Sequence, residues 1–150
     1  MPSIDTVDSV VISAPAQAVF DVILDYPHMH EWYPRYRVEV LSGGPVGEGT
    51  RLSHELSPAG SPVKSRFTRT IRSLESPLFI EESYDDGDLV GVGRWEFEQI
   101  AGEKTRVSFF CQVRSNTLLM HIGFFLGGER GHNGVYQELL AALKAHTENL

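Results

Sequence analysis

The sequence predicts an α+β fold in which a curved, seven-stranded antiparallel sheet wraps around one long C-terminal helix, with two short helices between the first and second strands. One segment with the pattern of a strand opens the chain, and six more follow Arg35, each joined to the next by a few turn residues. Such short connections are typical of an antiparallel meander. The large amphipathic element lies at the C-terminus, and one face of the sheet needs such a cover.

The first elements are identified by β-branched residues and then by helical spacing. Residues 4–13 form the first predicted strand. Ser13 and Pro15 suit the cap and the first turn of a helix, and apolar residues recur at helical spacing after them. Because the residue before a proline avoids the helical region, this helix is expected to end at Tyr26, and residues 28–33 are expected to form a second short helix.

Six further strands are bounded by turns rich in glycine, proline, serine and aspartate. They span residues 37–41, 50–56, 64–74, 78–84, 89–100 and 105–114. The last helix follows, and its periodicity gives it one apolar face. That face consists of Tyr136, Leu139, Leu140 and Leu143.

Glycines interrupt the approach to the last helix, at Gly127, Gly128, Gly131 and Gly134. Each glycine costs about 1 kcal/mol relative to alanine inside a helix. We therefore expect a broken or kinked helix there. Because apolar side chains lie beside these glycines, residues 118–134 are expected to form a mobile or kinked wall of an internal cavity, and the sequence leaves open whether residues 127–134 are a gate or a kinked helix.

Composition narrows the class of protein. The 150 residues are one domain on the usual size range, and 41% apolar with 22% charged residues is typical of a globular chain. A net charge of −7 argues against binding to nucleic acid or to an anionic membrane, since both require a basic surface. Residues 118–126 are too short an apolar run to span a bilayer, and the start lacks the pattern of a signal peptide, so a cytoplasmic protein without integral membrane contact is expected.

Alternation along the predicted strands places three ionisable residues, His54, Arg69 and Glu82, on the face that meets the C-terminal helix. Each shares its face with large apolar residues of its own strand. The turn at residues 76–77 places Arg69 opposite Tyr84, which makes Arg69 and Glu82 diagonal neighbours. Their side chains are therefore expected to be paired, or hydrated by water in a cavity. The alternative is a structural ion pair near the open end of the sheet.

Two glycines on the same face, Gly91 and Gly93, stand where side chains would otherwise fill space, with Gly91 expected opposite Glu82. Missing side chains beside a buried polar pair suggest a cavity, although glycines also occur where a sheet bends strongly. Large side chains that would wall the cavity share this face. They are Phe67, Tyr84, Trp95 and Phe109.

Other candidate residues favour packing or pocket walls over catalysis. Trp32, in the second short helix, is expected either to form an aromatic wall of the cavity or to pack that helix onto the sheet, and His121 and Phe125 lie in the apolar segment before the last helix. His28 and His30 diverge around a short helix, so no metal site is expected. Cys111, the single cysteine, excludes an internal disulfide and is expected to behave as a small hydrophobic residue. The sequence contains no recognised catalytic signature, and no cofactor is expected.

Several local motifs support a family resemblance over nearly the whole chain. They are SAPAQAVF at residues 13–20, DYP at 25–27, EWYP at 31–34, GEGT at 47–50, GRWEF at 93–97 and TRV at 105–107. With the element order, they resemble the START-like (SRPBCC) superfamily and its helix-grip fold, most closely the bacterial polyketide cyclase/dehydrase and lipid-transport group. The resemblance implies lipids, polyketides, quinones or aromatic metabolites as ligands. Carriers, cyclases, hydrolases and chaperones share this scaffold, so the fold by itself does not define the activity.

Binding or transport of a small hydrophobic molecule in an internal cavity is the function that we expect. One alternative is a polyketide cyclase or dehydratase, in which Glu82 or His54 is the general base and Arg69 stabilises an enolate oxygen. A protein-interaction or quinone-chaperone role is a further alternative, and a homodimer is compatible with the sequence. The expected ligand-binding residues are His54, Phe67, Arg69, Glu82, Tyr84, Gly91, Gly93, Trp95, Phe109, Trp32, His121 and Phe125.

Overall fold

Seven strands form one antiparallel sheet in the order β1-β7-β6-β5-β4-β3-β2, so every strand pairs with a neighbour in sequence except where β1 meets β7. The computed structural model describes residues 3–57, 64–118, 120 and 128–150. The strands are β1 (Ser3–Ile12), β2 (Tyr36–Val40), β3 (Arg51–Leu56), β4 (Ser65–Glu75), β5 (Phe79–Gly87), β6 (Leu89–Ala101) and β7 (Lys104–Ser115). The predicted meander is confirmed, with boundaries that differ by a few residues.

The hairpin between β5 and β6 has a register that differs from the predicted one. Glu82 pairs with Gly93, and Tyr84 pairs with Gly91, whereas Glu82 was expected opposite Gly91. The difference arises because β5 continues to Gly87, and Asp88 holds the turn by accepting the backbone N–H of Arg66 at 2.8 Å. A shift of two residues leaves every side chain on its predicted face.

Two short helical segments close one end of the sheet. The first, α1 (Ala16–Leu24), has Pro15 at its N-cap, so the expected capping by Ser13 does not occur. Gln99 of β6 replaces that cap, because its Oε1 accepts the Ala16 backbone N–H at 2.9 Å. The second is a 3₁₀ helix over Tyr26–Glu31, which begins two residues earlier than predicted.

The C-terminal helix, α2 (Gly128–Glu148), is continuous through Gly131 and Gly134. The break expected at these two glycines is therefore not seen. Packing of the apolar face explains this, since burial of Tyr136, Leu139 and the leucines after them outweighs the small helix penalty of each glycine. Residues 119 and 121–127 lie outside the described residues, so the mobile wall stays a prediction.

The core lies between the concave face of the sheet and α2. Helix α2 packs mainly against β1 and α1, and the Lys144 ammonium donates to the Val11 carbonyl at 3.0 Å. Between α2 and the strands β2 to β5, the interior is filled by side chains, several of them polar. No helix among the described residues is long and apolar enough to cross a membrane.

Candidate functional site

Three neighbouring strands carry His54, Arg69 and Glu82 into the interior. His54 comes from β3, Arg69 from β4 and Glu82 from β5, and each side chain is at most 2% exposed. Arg69 pairs with Tyr84 across the strands, as predicted, so that Arg69 and Glu82 are diagonal neighbours. The Arg69 Nη1 donates to Glu82 Oε2 at 2.9 Å.

The other half of the Arg69 guanidinium faces phenols. Its Nη2 lies 3.0 Å from the hydroxyl oxygen of Tyr36, 2.5 Å from that of Tyr84 and 2.9 Å from that of Tyr136. The guanidinium carbon is also 4.3 Å from the ring centroid of Tyr84, which is a cation–π contact. We call Arg69, Glu82, Tyr26, Tyr36, Tyr84 and Tyr136 the Arg69 cluster.

Burial sets the protonation of this cluster. Burial raises the pKa of Tyr36, Tyr84 and Tyr136 above the ordinary phenol value, so all three are neutral at physiological pH. Burial by itself lowers the pKa of the Arg69 guanidinium, but the surrounding phenols raise it above its usual value. Arg69 therefore keeps its positive charge inside an apolar shell.

Glu82 is the carboxyl group of the Arg69 cluster, and its two oxygens have different donors. The Tyr26 hydroxyl, from the 3₁₀ helix, donates to Glu82 Oε1, and Arg69 donates to Oε2. Complete burial raises the pKa of the Glu82 carboxyl to about 8. The group thus exchanges its proton near neutral pH, which a general acid or base needs.

His54 lies beside the cluster as a neutral imidazole. Its ring stacks on Phe67 with centroids 5.3 Å apart and meets the Tyr36 ring edge-on at the same distance. Within the described ranges, neither ring nitrogen of His54 has a hydrogen-bond partner. Burial, and then the charge of Arg69, lower the pKa of His54 well below its usual value, so both nitrogens are uncharged and one can act as an acceptor.

The predicted aromatic walls lie around this group. Phe67, Tyr84, Trp95 and Phe109 are all buried, and the rings of Trp95 and Phe109 are 4.5 Å apart. The Trp95 Nε1–H has no hydrogen-bond partner. These rings form an interior surface that suits a flat apolar ligand.

The two glycines of β6 do not leave empty space in this structure. A Cβ on Gly93 would lie 3.0 Å from the Tyr84 ring and 3.1 Å from the Phe109 ring, so those rings occupy the position. Gly91 has a φ of +146°, and a Cβ there would lie 2.1 Å from the Gln112 carbonyl oxygen. Gly91 is therefore explained by backbone crowding, and Gly93 by close approach of two rings.

Two recesses are found on the surface of the described residues. One, of about 450 Å³, is lined by Tyr33, Pro34, Arg35, Ser57 and Glu138. The other, of about 290 Å³, lies on the outer face of the sheet around Arg94 and Phe110. Neither is lined by His54, Arg69 or Glu82.

The remaining predicted residues lie elsewhere. Trp32 is half-buried and stacks on His146, with ring centroids 6.0 Å apart. His121 and Phe125 lie outside the described residues. Among the described residues, no group of three or more potential ligands could hold a metal ion, and His28 pairs with Asp25 at 2.8 Å.

Cys111 occupies the interior position that alternation predicts. Its Sγ lies 3.8 Å from the Tyr84 hydroxyl, and the side chain is fully buried. Burial raises the pKa of the Cys111 thiol to about 11, so the thiolate is scarce at physiological pH. Packing, rather than nucleophilic chemistry, explains this residue.

Two members of the Arg69 cluster were missed by sequence reasoning. Tyr26 was interpreted as the end of a helix, and Tyr136 as part of an apolar helix face. A signal was available for both, because a buried phenol requires a hydrogen-bond partner. Only the fold shows that those partners are Glu82 and Arg69.

Comparison with known proteins identifies what the chain resembles. A family model described as polyketide cyclase / dehydrase and lipid transport matches residues 3–148. A START superfamily protein from Mycobacterium smegmatis superimposes with a TM-score of 0.77 at 14% identity, covering 97% of each chain. Among curated proteins, the comparison found no match.

Two further solved structures are similar in fold. An aromatase/cyclase from Streptomyces sp. R1128 has a TM-score of 0.69 at 18% identity, covering 97% of this chain and 94% of that one. Norcoclaurine synthase from Thalictrum flavum, in complex with dopamine and hydroxybenzaldehyde, has a TM-score of 0.68 at 10% identity, covering 95% and 85%. At these identities, the likeness shows the START-type, helix-grip fold and nothing about the ligand.

Proposed function

Because the chain belongs to the polyketide cyclase/dehydrase and lipid transport family, we propose that it binds a small hydrophobic molecule between the sheet and α2, with an oxygen of that molecule held by Arg69. The observation that carries the proposal is the surroundings of Arg69. A 2% exposed guanidinium is met by one carboxyl and three phenols inside an aromatic shell. A few converging polar groups in an apolar interior are typical of ligand sites.

The energetics of such a site are favourable without special chemistry. Each buried methylene of a ligand contributes about 0.8 kcal/mol, so about ten apolar carbons contribute about 8 kcal/mol. Association and ordering oppose binding by several kcal/mol. A charge-assisted hydrogen bond from Arg69 adds about 1–3 kcal/mol and selects ligands with a carbonyl or carboxylate.

The Arg69 cluster also supports a role beyond stabilising the fold. A buried ion pair contributes little net stability, since desolvation offsets much of the attraction. Arg69 Nε and both nitrogens of His54 are buried, and no other described residue pairs with them. Unpaired buried polar atoms cost stability, and a ligand that pairs with them removes that cost.

Binding measurements on matched arginine variants test the proposal. Fluorescence of the two tryptophans would report the binding of aromatic ketones, quinones, fatty acids and polyketide mimics to the purified protein. Arg69→Ala should weaken binding of carbonyl- or carboxylate-bearing ligands by about 1–3 kcal/mol, which is the contribution of a hydrogen bond to a charged group. Arg94→Ala is the matched control, because Arg94 pairs with Glu81 and Glu96 on the outer face. Equal affinities for the two variants would contradict the proposal.

A cyclase or dehydratase activity is the second candidate, and it is favoured by the raised pKa of Glu82 together with a neutral His54 next to the rings of Tyr26 and Tyr36. Aldol cyclisation requires a base to remove a proton next to a carbonyl, and a donor for the enolate oxygen. Here Glu82 or His54 would be the base, and Arg69 the donor. Glu82→Gln should then abolish turnover of a poly-β-ketone mimic while ligand binding persists. Unchanged turnover in that variant, or loss of binding with it, would exclude Glu82 as the base.

A further inference from the structure

The hydrogen bonds of Arg69 are divided unevenly between one carboxyl group and three phenols. Nη1 donates to the Glu82 carboxyl, whereas Nη2 meets only neutral phenol oxygens. Nε is buried, and the part of the chain that the structure describes offers it no hydrogen-bond partner. Guanidinium groups bind carboxylates most strongly through two parallel N–H donors, and Glu82 uses only one of the five that Arg69 carries. Part of the guanidinium therefore lacks an anionic acceptor.

The net charge around Arg69 depends on Glu82. By element, the other titratable groups around the Arg69 cluster are Asp8 (β1), Tyr26 (3₁₀ helix), Tyr36 (β2), His54 (β3), Tyr84 (β5), Cys111 (β7) and Tyr136 (α2). Burial raises the pKa of Asp8, of the Cys111 thiol and of the phenols of Tyr36, Tyr84 and Tyr136, and it lowers the pKa of His54, so burial favours the uncharged form of each. Tyr26 donates its hydroxyl proton to Glu82. If a second anion joined an ionised Glu82, one cation would face two negative charges in an interior of low dielectric, which is strongly unfavourable.

We propose that the ligand of this site is an acid, bound as its anion through a carboxylate or phenolate oxygen on Arg69, and that Glu82 carries a proton while the anion is bound. The inference rests on the proposed function, because it names the chemical class of the ligand at the same site. It follows from two observations: Glu82 takes only one N–H donor of the Arg69 guanidinium, and both Arg69 and Glu82 are buried. The aromatic rings around Arg69 suit a planar body for this acid.

The pH dependence of binding follows from the protonation of Glu82. Burial raises the pKa of the Glu82 carboxyl to about 8, so below that pH the proton is already present and binding needs no proton uptake. Above pH 8, each anion bound must bring one proton to Glu82. The affinity should then fall about tenfold for each further pH unit.

Calorimetric titration with two probes tests the proposal. The probes are 2-naphthoate, an anion throughout the range, and its neutral counterpart 2-naphthamide, each titrated between pH 6 and 9.5. Wild-type protein should bind naphthoate at least tenfold more tightly than naphthamide at pH 7. Its naphthoate affinity should decline by about 30-fold between pH 6 and 9.5, with nearly all of the decline above pH 8. Comparing buffers of different ionisation enthalpy should show uptake of about one proton at pH 9.

The decisive variant is Glu82→Gln, with Glu81→Gln as its matched control on the opposite face of the same strand. Glu82→Gln removes the negative charge that competes with the ligand, so its naphthoate affinity should be independent of pH and about 30-fold above wild type at pH 9.5. Glu81 pairs with Arg94 at the surface, and Glu81→Gln should follow the wild-type curve. If Glu82 only contacted the ligand, the Glu82→Gln variant would instead bind 2-naphthoate more weakly than wild type at every pH.

Tyr26→Phe provides a second route if Glu82→Gln fails to fold. This variant removes the Tyr26 hydroxyl. That hydroxyl donates to Glu82 Oε1 and thereby favours the charged form of the carboxyl group. The decline in affinity should therefore begin at higher pH than in wild type. A naphthoate curve that is flat to pH 9.5 in wild type, or unchanged by both variants, would overturn the proposal.

The neutral probe separates this inference from the proposed function. Equal, pH-independent binding of naphthamide and naphthoate that Arg69→Ala weakens would overturn the acid proposal and leave a carbonyl-binding site at Arg69. Binding of both probes that Arg69→Ala does not change would overturn the two together. Absence of naphthoate binding at millimolar concentration would overturn the acid proposal, and the neutral ketones and quinones of the first panel would still test the proposed function.

Discussion

At the scale of single residues, the largely apolar interior contains several polar atoms that are only partly satisfied. Arg69 shares its guanidinium among a carboxyl and three phenols, and His54 has no hydrogen-bond partner for either nitrogen among the described residues. Groups of this kind lower stability when they gain charge, because a buried charge must be compensated. Their titration should therefore be visible in the free energy of unfolding.

His54 should make the protein less stable in acid. Burial lowers the pKa of His54 in the folded protein. The contribution of the neutral imidazole to the free energy of unfolding is therefore fully present above the unfolded-state pKa of about 6.5, and it is lost as the pH falls below that value. His54→Phe should therefore gain stability relative to wild type by roughly 1.4 kcal/mol for each pH unit below 6.5. Urea denaturation at pH 7.5 and pH 5 measures this difference, with the exposed His30→Phe as the control. An equal difference between His54→Phe and wild type at both pH values would contradict the prediction.

At the scale of elements, alternation and turn chemistry determine most of the sheet. The strand order follows from short connections, and each interior residue is on the face that its parity predicts. The register of the β5–β6 hairpin could not be read reliably, because moving the centre of the turn by one residue along the chain moves each partner by two. Helix α2 differs from expectation for another reason, since long-range packing outweighs the low helix propensity of its glycines.

Glycine replacements should distinguish two structural roles. Gly134 in α2 is exposed, and a Cβ there would meet no neighbouring atom, so Gly134→Ala should stabilise the fold by about 0.5–1 kcal/mol. Gly91→Ala should destabilise it by more than that, because the Cβ would collide with the Gln112 carbonyl oxygen. Thermal unfolding measures both. If Gly134→Ala brought no gain, the helical conformation at this position would be in doubt.

At the scale of the whole molecule, the Arg69 cluster joins elements that are far apart in sequence. Tyr26 comes from the 3₁₀ helix, Tyr36 from β2 and Tyr136 from α2, and all three reach the pair formed by β4 and β5. Closing the sheet around α2 therefore assembles the cluster. Folding and the candidate site depend on each other through this pair.

Stability and binding should nevertheless separate in a double variant. At pH 9, where Glu82 is ionised, Glu82→Leu alone leaves the Arg69 charge without its carboxylate partner and should cost about 3–5 kcal/mol in the free energy of unfolding. Adding Arg69→Met removes the buried charge, so the double variant should recover most of that loss. Denaturant titration measures recovery, and calorimetry should show that the double variant no longer binds 2-naphthoate. A double variant as unstable as Glu82→Leu would contradict this account.

The sequence by itself determined the α+β class, the seven strands, the covering C-terminal helix and the burial of His54, Arg69 and Glu82. Local periodicity and turn residues encode these features. Alternation along a strand assigns each side chain to the correct face even when its cross-strand partner is misplaced by two residues. The resemblance to the family, now shown, was also present in local motifs. Ligand identity, cytoplasmic location and a homodimer stay predictions.

Only the tertiary structure decided which groups meet Arg69. Tyr26 and Tyr136 are 110 residues apart in sequence, and their positions in a helix end and an apolar helix face gave no local sign of a shared partner. The structure also showed that aromatic rings fill the position beside Gly93. Both results depend on how α2 and the 3₁₀ helix lie over the curved sheet, because contacts between distant elements arise from packing in three dimensions and not from local pattern.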